Sequence, residues 1–141
     1  MHEAIAEMQH IYKDREIVVD KKLREGEDAL IGDPSKLVKV FTNIIDNAVK
    51  YSAKTTPIHI TMYDKNSHFS VIIKDQGKGI DEKHLPNIFE GHHMGESGEE
   101  GMGIGLYFVG SVIRQHKGSI NVKSKLKKGS TFEVRLPKSK I

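Results

Sequence analysis

Apolar residues recur at helical spacing in three parts of the chain, which predicts three helices. The first covers about residues 2–14, the second runs from about residue 33 to residue 52, and the third covers about residues 103–116. The second has a clear start signal, because Asp33 suits an N-cap and Pro34 suits the first helical position. Short β-branched or alternating runs predict strands near residues 17–19, 29–31, 57–63, 68–74, 119–124 and 130–136. The pattern predicts a mixed α and β domain.

Residues 75–105 form a glycine-rich, acidic stretch that is interrupted by a short apolar piece at residues 85–89. Loops of this length inside a compact domain are usually functional or disordered. From residue 111 onward the chain is strongly basic, and Glu133 is its single acid. Such a stretch is either the solvated face of two strands or a patch for a partner or nucleic acid. No interleaving of aromatic residues supports nucleic acid.

Length and composition narrow the class of protein. The 141 residues fit one domain better than two, and 37% hydrophobic and 29% charged residues are typical of a globular chain. A net charge of +3 is too small to indicate nucleic acid by itself. The absence of cysteine excludes disulfides, thiolate metal sites and a cysteine nucleophile. Without a long apolar run or a signal-peptide pattern, we expect a cytosolic piece.

The predicted second helix carries a polar stripe beside its apolar face. At 100° per residue, Asn43, Asn47 and Lys50 lie within about 60° of one another. The adjoining apolar face comprises Leu37, Phe41, Ile44 and Ala48. Asparagine is an indifferent helix former, so two of them one turn apart need a reason. The stripe is either a solvated face or a rim of amide and ammonium groups for a polyanion and its hydrated Mg²⁺.

Two glycine clusters could bind a nucleotide. Asp75 ends a predicted strand directly before Gly77 and Gly79, where it is either the capping residue of a turn or an acceptor for an exocyclic amine such as that of adenine. The second cluster, Gly101-Met102-Gly103-Ile104-Gly105-Leu106, leads into the third helix. It is either a hinge or an anion site at a helix N-terminus. Neither cluster completes a Walker or Rossmann motif.

The order of four sequence boxes resembles the ATP-binding catalytic domain of sensor histidine kinases, over about residues 15–137. The boxes are the segments 43–52, 75–80, 101–106 and 129–132. This resemblance implies an α/β sandwich of Bergerat type, with a mixed, largely antiparallel sheet, helices on one face and a lid loop. It also implies that residues 1–14 are the stub of a linker helix and that residues 15–141 are the catalytic domain.

The resemblance also implies roles for individual residues. Asn47 would supply an oxygen to Mg²⁺, Asn43 would assist on the phosphate side and Lys50 would contact phosphate. Asp75 would bind the adenine amine, supported by Ser130 through water. The other residues implied in ATP binding are Tyr51, Gly77, Gly79, Ile80, Phe89, Gly101, Met102, Gly103, Ile104, Gly105, Leu106 and Thr131.

The residue at position 43 separates functions within the superfamily. ATPases and serine kinases of this fold typically carry a glutamate there as general base, and the amide of Asn43 cannot take that proton. We therefore expect transfer of the γ-phosphoryl group to a histidine, with ATP and Mg²⁺ as cofactors. The alternatives are a serine kinase or ATPase of the same fold, or a non-enzymatic interaction module with a decayed pocket.

Two features depart from the family pattern. The phosphoacceptor histidine hairpin is absent, and His2 is not followed by the expected sequence, so we expect the acceptor on a separate dimerisation domain of the same polypeptide. Phe89 is followed by His92 where the family often has a second phenylalanine. His92 and His93 are either part of a solvated lid or metal ligands. We expect an isolated domain to be monomeric, to bind no nucleic acid and to serve a response regulator indirectly.

Overall fold

The computed structural model describes residues 2–22, 34–52, 55–65, 68–80, 85, 88–89 and 102–137. Within these ranges the elements run in the order α1 (His2–Ile11), β1 (Ile17–Lys22), α2 (Pro34–Lys50), β2 (Ile58–Lys65), β3 (His68–Asp75), α3 (Met102–Gln115), β4 (Ser119–Lys125) and β5 (Gly129–Pro137). None of the helices in the described part of the chain is long and apolar enough to cross a membrane.

The five strands form one mixed sheet in the order β1-β2-β3-β5-β4. β1 pairs with β2 in parallel, and the other pairs are antiparallel. Parallel neighbours need a crossover connection, and α2 lies in the chain between β1 and β2. β3 and β5 are paired from His68 with Pro137 to Asp75 with Ser130. The end of β3 is therefore next to the start of β5, which places two of the predicted site residues side by side.

The helices form a single layer, because α1 and α3 both pack on α2. The predicted apolar face of α2 is buried, and Phe41, Ile44 and Ala48 are no more than 2% exposed. Alternate residues of β5 complete the core from the sheet, since Phe132 and Val134 are buried and Glu133 between them is half-buried. The predicted fold class is confirmed, with helices and sheet meeting in one apolar core.

Most element boundaries lie within two residues of the sequence expectation, with two differences. α1 ends at Ile11 rather than near residue 14, because the chain turns at residues 12–15, where Arg15 N–H donates to Tyr12 O at 3.2 Å. β1 continues to Lys22 because the polar residues after Val19 stay in register with β2. The strand predicted at residues 29–31 lies outside the described residues.

α1 belongs to the packed unit. Ala4 is fully buried and Met8 is 5% exposed, and both belong to the same core as α2. Its role as a connection to a further domain stays a prediction.

Candidate functional site

The ends of α2, β3 and β5 meet around a small cavity of about 20 Å³. Its lining comprises Asn47, Ala48, Tyr51, Asp75, Lys78, Gly79, Ile80, Ser130 and Phe132. This volume is room for about one water molecule. The cavity brings together residues from three of the four sequence boxes.

Asp75 is the buried charge of this cavity. Its side chain lies at the last position of β3 and is 6% exposed. Burial raises the pKa of the carboxyl group, while hydrogen bonds from the main chain of Gly77 and Ser130 and the charge of Arg15 act in the opposite direction. The Gly77 N–H donates to Asp75 Oδ1 at 2.9 Å. The carboxylate is thus fixed in position with capacity to accept a further hydrogen bond.

Two glycines after Asp75 allow the loop to pack closely against its neighbours. A β-carbon on Gly77 would lie 2.2 Å from the carbonyl oxygen of Tyr51, and one on Gly79 would lie 2.0 Å from that of Lys125. Gly79 also has a φ of +73°, in the left-handed region that favours glycine. The Lys78 main chain is held on both sides, since its N–H donates to Tyr51 O at 3.1 Å and its carbonyl accepts from Lys127 N at 2.7 Å.

Ser124 links the glycine loop to β5, although the sequence analysis did not select it. Its hydroxyl accepts from Ile80 N–H at 2.7 Å, donates to Gly129 O at 3.0 Å, and lies 2.8 Å from the hydroxyl of Ser130. Ser124 shares the inward positions of β4 with Ile120 and Val122. The signal that could have identified Ser124 is its position in β4, where a polar residue continues an alternating series of apolar residues.

Asn47 on α2 and Tyr51, the residue directly after the helix, contribute polar groups to the cavity. They lie one turn apart, since the Tyr51 N–H donates to Asn47 O at 3.1 Å, and Ala48 lies between them against the core. The ammonium group of Lys78 lies 4.8 Å from the centre of the Tyr51 ring, which is cation–π distance. Asn43 lies one turn before Asn47, is partly exposed and does not line the cavity.

Lys50 lies away from this cavity. Its Nζ forms an ion pair with Asp46 Oδ2 at 2.9 Å, and it lines a different cavity of about 410 Å³ beside the turn after α1. The Tyr12 hydroxyl donates to the other oxygen of Asp46. The structure therefore separates Lys50 from Asn47 and Asp75, whereas the sequence pattern grouped the three around one ligand.

Arg15 was also missed from the sequence, because a charged residue in a polar segment is usually exposed. It is only 7% exposed, and its guanidinium group donates to Val49 O at 2.9 Å, to Thr56 O at 3.0 Å and to the hydroxyl of Ser52 at 2.5 Å. A cation on the last carbonyls of a helix is favourable. Arg15 thus fixes the end of α2 that carries Tyr51.

The remaining predicted residues lie around the site or outside it. Phe89 packs edge to face on Phe132 with ring centres 6.4 Å apart, and Leu106 is fully buried in the core. Thr131 alternates with Ser130 and Phe132 and so faces the other side of the sheet. The backbone of residues 102–105 forms the first turn of α3. The predictions for Gly101, His92 and His93 lie outside the described residues.

The residues present suit a magnesium ion that a nucleotide helps to bind. The described residues contain no group of three His, Asp or Glu side chains that could hold a metal by itself. Mg²⁺ usually takes one or two protein oxygens and completes its shell with phosphate and water. The amide oxygen of Asn47, at the edge of the cavity, is a hard ligand of this type.

Comparisons with known proteins identify the class that this sheet, helix layer and glycine loop define. The model of the family described as histidine kinase-, DNA gyrase B- and HSP90-like ATPase matches residues 32–140. The chain belongs to this family. Within it, the resemblance to the ATP-binding catalytic domain of sensor histidine kinases is confirmed by the relatives that follow.

The sensor protein SrrB of Staphylococcus aureus is 39% identical over 110 residues, which are 75% of this chain and 19% of that protein. The chain therefore spans about a fifth of the length of this curated relative. The mycobacterial sensor histidine kinase MprB matches with a TM-score of 0.84 and 25% identity, over 99% of this chain and 94% of that structure. The catalytic domain of the histidine kinase ThkA shares the fold, with a TM-score of 0.80, 22% identity and coverage of 97% and 93%.

Proposed function

We propose that the chain binds Mg-ATP and donates its γ-phosphoryl group to a histidine on a separate dimerisation domain of the same polypeptide. The observation that carries this proposal is the buried carboxylate of Asp75, held by main-chain N–H groups at the edge of a cavity that Asn47 also lines. Family membership supports the use of a nucleotide.

Adenine recognition would depend on Asp75. A carboxylate accepts hydrogen bonds only, so it suits the exocyclic amine of adenine. The hydroxyl of Ser130 lies beside it on β5 and is tied to Ser124, which suits a supporting role through water. Gly77 and Gly79 let the loop after Asp75 pack directly against the main chain of Tyr51 and Lys125, which shapes the wall beside the carboxylate.

The polar flank of α2 would bind the phosphates. Asn47 would hold Mg²⁺, Asn43 would assist one turn earlier and Lys50 would contact phosphate after leaving Asp46. When bound, Mg²⁺ neutralises charge on the phosphates. Phosphoryl transfer needs mostly positioning and electrostatic stabilisation, which these groups supply without a covalent step.

The amide of Asn43 favours transfer over hydrolysis. Activation of a water molecule needs a general base, and a carboxamide does not accept a proton at neutral pH. The neutral imidazole of a histidine is a nucleophile without such help. ATP would therefore stay intact until the histidine of the dimerisation domain reaches it.

Membership of the sensor kinase group supports the remaining parts of the proposal. The chain would act in the cytoplasm, where ATP is available, within a longer sensor kinase. The phosphohistidine would then serve a response regulator, so that the regulator is an indirect partner of this domain.

Calorimetric titration with ATP, with and without Mg²⁺, tests the proposal. Asp75→Asn replaces a carboxylate, which only accepts hydrogen bonds, by a carboxamide of the same shape that has one acceptor and one donor group. We therefore expect at least a tenfold loss of affinity for ATP. Asp14→Asn is the matched control, since Asp14 is exposed and lies at the turn after α1. Absence of binding at millimolar ATP, or equal affinity in the Asp75 variant, would contradict the proposed adenine site.

A further inference from the structure

One carboxylate connects Lys50 with the turn after α1. Asp46 Oδ2 lies 2.9 Å from Lys50 Nζ, and Asp46 Oδ1 accepts the hydrogen bond from the Tyr12 hydroxyl. The hydrogen bond and the charge of Asp46 raise the pKa of Lys50, and the hydrogen bond also raises the pKa of Tyr12. At neutral pH the lysine is therefore charged and the phenol is a donor.

The ion pair holds Lys50 at a different cavity from the one that contains Asp75. Lys50 lines the cavity beside Tyr12 and Arg15, whereas Asn47 and Tyr51 line the cavity beside Asp75. The side chain of Lys50 is 56% exposed and that of Asp46 is 29% exposed. An ion pair that is this accessible to water is weak, so a polyphosphate can displace it.

We propose that Asp46 is a positioning residue that competes with the nucleotide phosphates for Lys50, and so sets the preference of the chain for a triphosphate over a monophosphate. This rests on the proposed function, in which Lys50 contacts phosphate. Because Tyr12 donates to the same carboxylate, the competition also depends on where the turn after α1 lies. The helix α1 and the phosphate end of the site then share one charged group.

The variant Asp46→Asn tests the competition. It keeps an oxygen for the Tyr12 hydroxyl and removes the charge that holds Lys50. We expect the affinity for Mg-ATP to rise about two- to threefold, in line with an exposed ion pair at i, i+4 spacing. The proposed competition concerns the outer phosphates of ATP, which AMP lacks. The affinity for AMP should therefore not change, because its single phosphate is attached to the ribose. Both affinities are measured by calorimetry. A general loss of structure would lower them by the same factor, so it would not change their ratio.

Removal of any acid near a polyanion can raise affinity through the electric field alone, so two further comparisons separate the causes. In a Lys50→Met background, Asp46→Asn should not change the ATP affinity relative to Lys50→Met alone. The lysine for which the carboxylate and the phosphates compete is then absent. Asp14→Asn removes one negative charge from the same cavity without a contact to Lys50, and it should leave the ATP to AMP ratio of the parent chain unchanged.

Each outcome decides between the proposals. A gain that needs Lys50 supports the role of Asp46. A gain of equal size in the Lys50→Met background, or no gain at all while the parent chain binds Mg-ATP, overturns it and leaves the proposed function intact. A parent chain that binds no ATP overturns the proposed function as well.

Discussion

Asp75 and Ser130 are directly paired across β3 and β5, and the Asp75 carboxylate is also capped by the N–H of Gly77 at 2.9 Å. The buried charge of the site is thus held by the main chain of two strands and a glycine loop. Because the backbone supplies these donors, substitutions of neighbouring side chains do not remove them. The position of the carboxylate therefore depends on the pairing of the two strands.

Burial of Asp75 makes folding stability depend on pH. Its pKa is raised above the ordinary value of 3.8, so between 3.8 and the folded value the native state binds more protons than the unfolded state. Stability from this group is therefore lost as pH rises through that window. Asp75→Asn removes this titration. We expect its free energy of unfolding, measured by urea denaturation, to rise relative to that of the parent chain as pH increases through the window. A difference that is constant across pH would contradict the raised pKa.

The glycine loop should not tolerate a β-carbon. Gly77→Ala places a methyl group 2.2 Å from Tyr51 O, and Gly79→Ala adds backbone strain at a φ of +73°. We expect each to lower the free energy of unfolding by about 1–3 kcal/mol and to weaken ATP binding. Gly110→Ala in α3 is the milder comparison, since its β-carbon would lie 3.3 Å from Phe89 Cβ, which needs a shift of only a few tenths of an ångström, and alanine favours the helix. Thermal unfolding of the three variants measures the difference.

Arg15 should be a large contributor to stability. Arg15→Met leaves the carbonyl groups of Val49 and Thr56 without their donor, and we expect a loss of about 3 kcal/mol in urea denaturation. Arg15→Lys should recover only part of this, because one ammonium group does not reproduce the geometry of the guanidinium fork. Arg114→Met removes an exposed arginine from α3 and should change stability by less than about 0.5 kcal/mol. Equal effects at the two positions would exclude a special role for Arg15.

The residue at position 43 should control hydrolysis. Asn43→Glu introduces a group that can accept a proton from water, so we expect the release of phosphate from ATP to rise at least tenfold. Asn121→Glu adds the same charge on an exposed position of β4 and should leave the rate unchanged. A variant that still binds ATP but releases phosphate no faster would show that Asn43 does not govern hydrolysis.

Local periodicity predicted most of the fold, because the elements bury regular faces. The helical spacing of Phe41, Ile44 and Ala48 and the alternation in β5 both reflect burial, which a sequence pattern records directly. The polar end of β1 was missed because residues 20–22 form an edge strand through backbone pairing, which leaves no apolar signal.

The candidate site was predicted less completely than the fold. Asp75, Ser130 and the glycine loop were found because their order resembles a known family, whereas their contact depends on the pairing of β3 with β5. Arg15 acts through hydrogen bonds to residues distant in sequence, for which the sequence has no periodic signature, whereas Ser124 and the i, i+4 pair of Asp46 with Lys50 left local signals that the sequence analysis did not use.

The strand order places the candidate pocket where two hairpins of the sheet meet. β2 and β3 are neighbours in the chain and can pair early as a hairpin, and so can β4 and β5. The pairing of β3 with β5 joins the two hairpins, which are far apart in the sequence. Asp75 and Ser130 form the last pair at one end of this pairing. A ligand that contacts both residues would stabilise the pairing of the two hairpins, so nucleotide binding would raise the stability of the sheet as a whole.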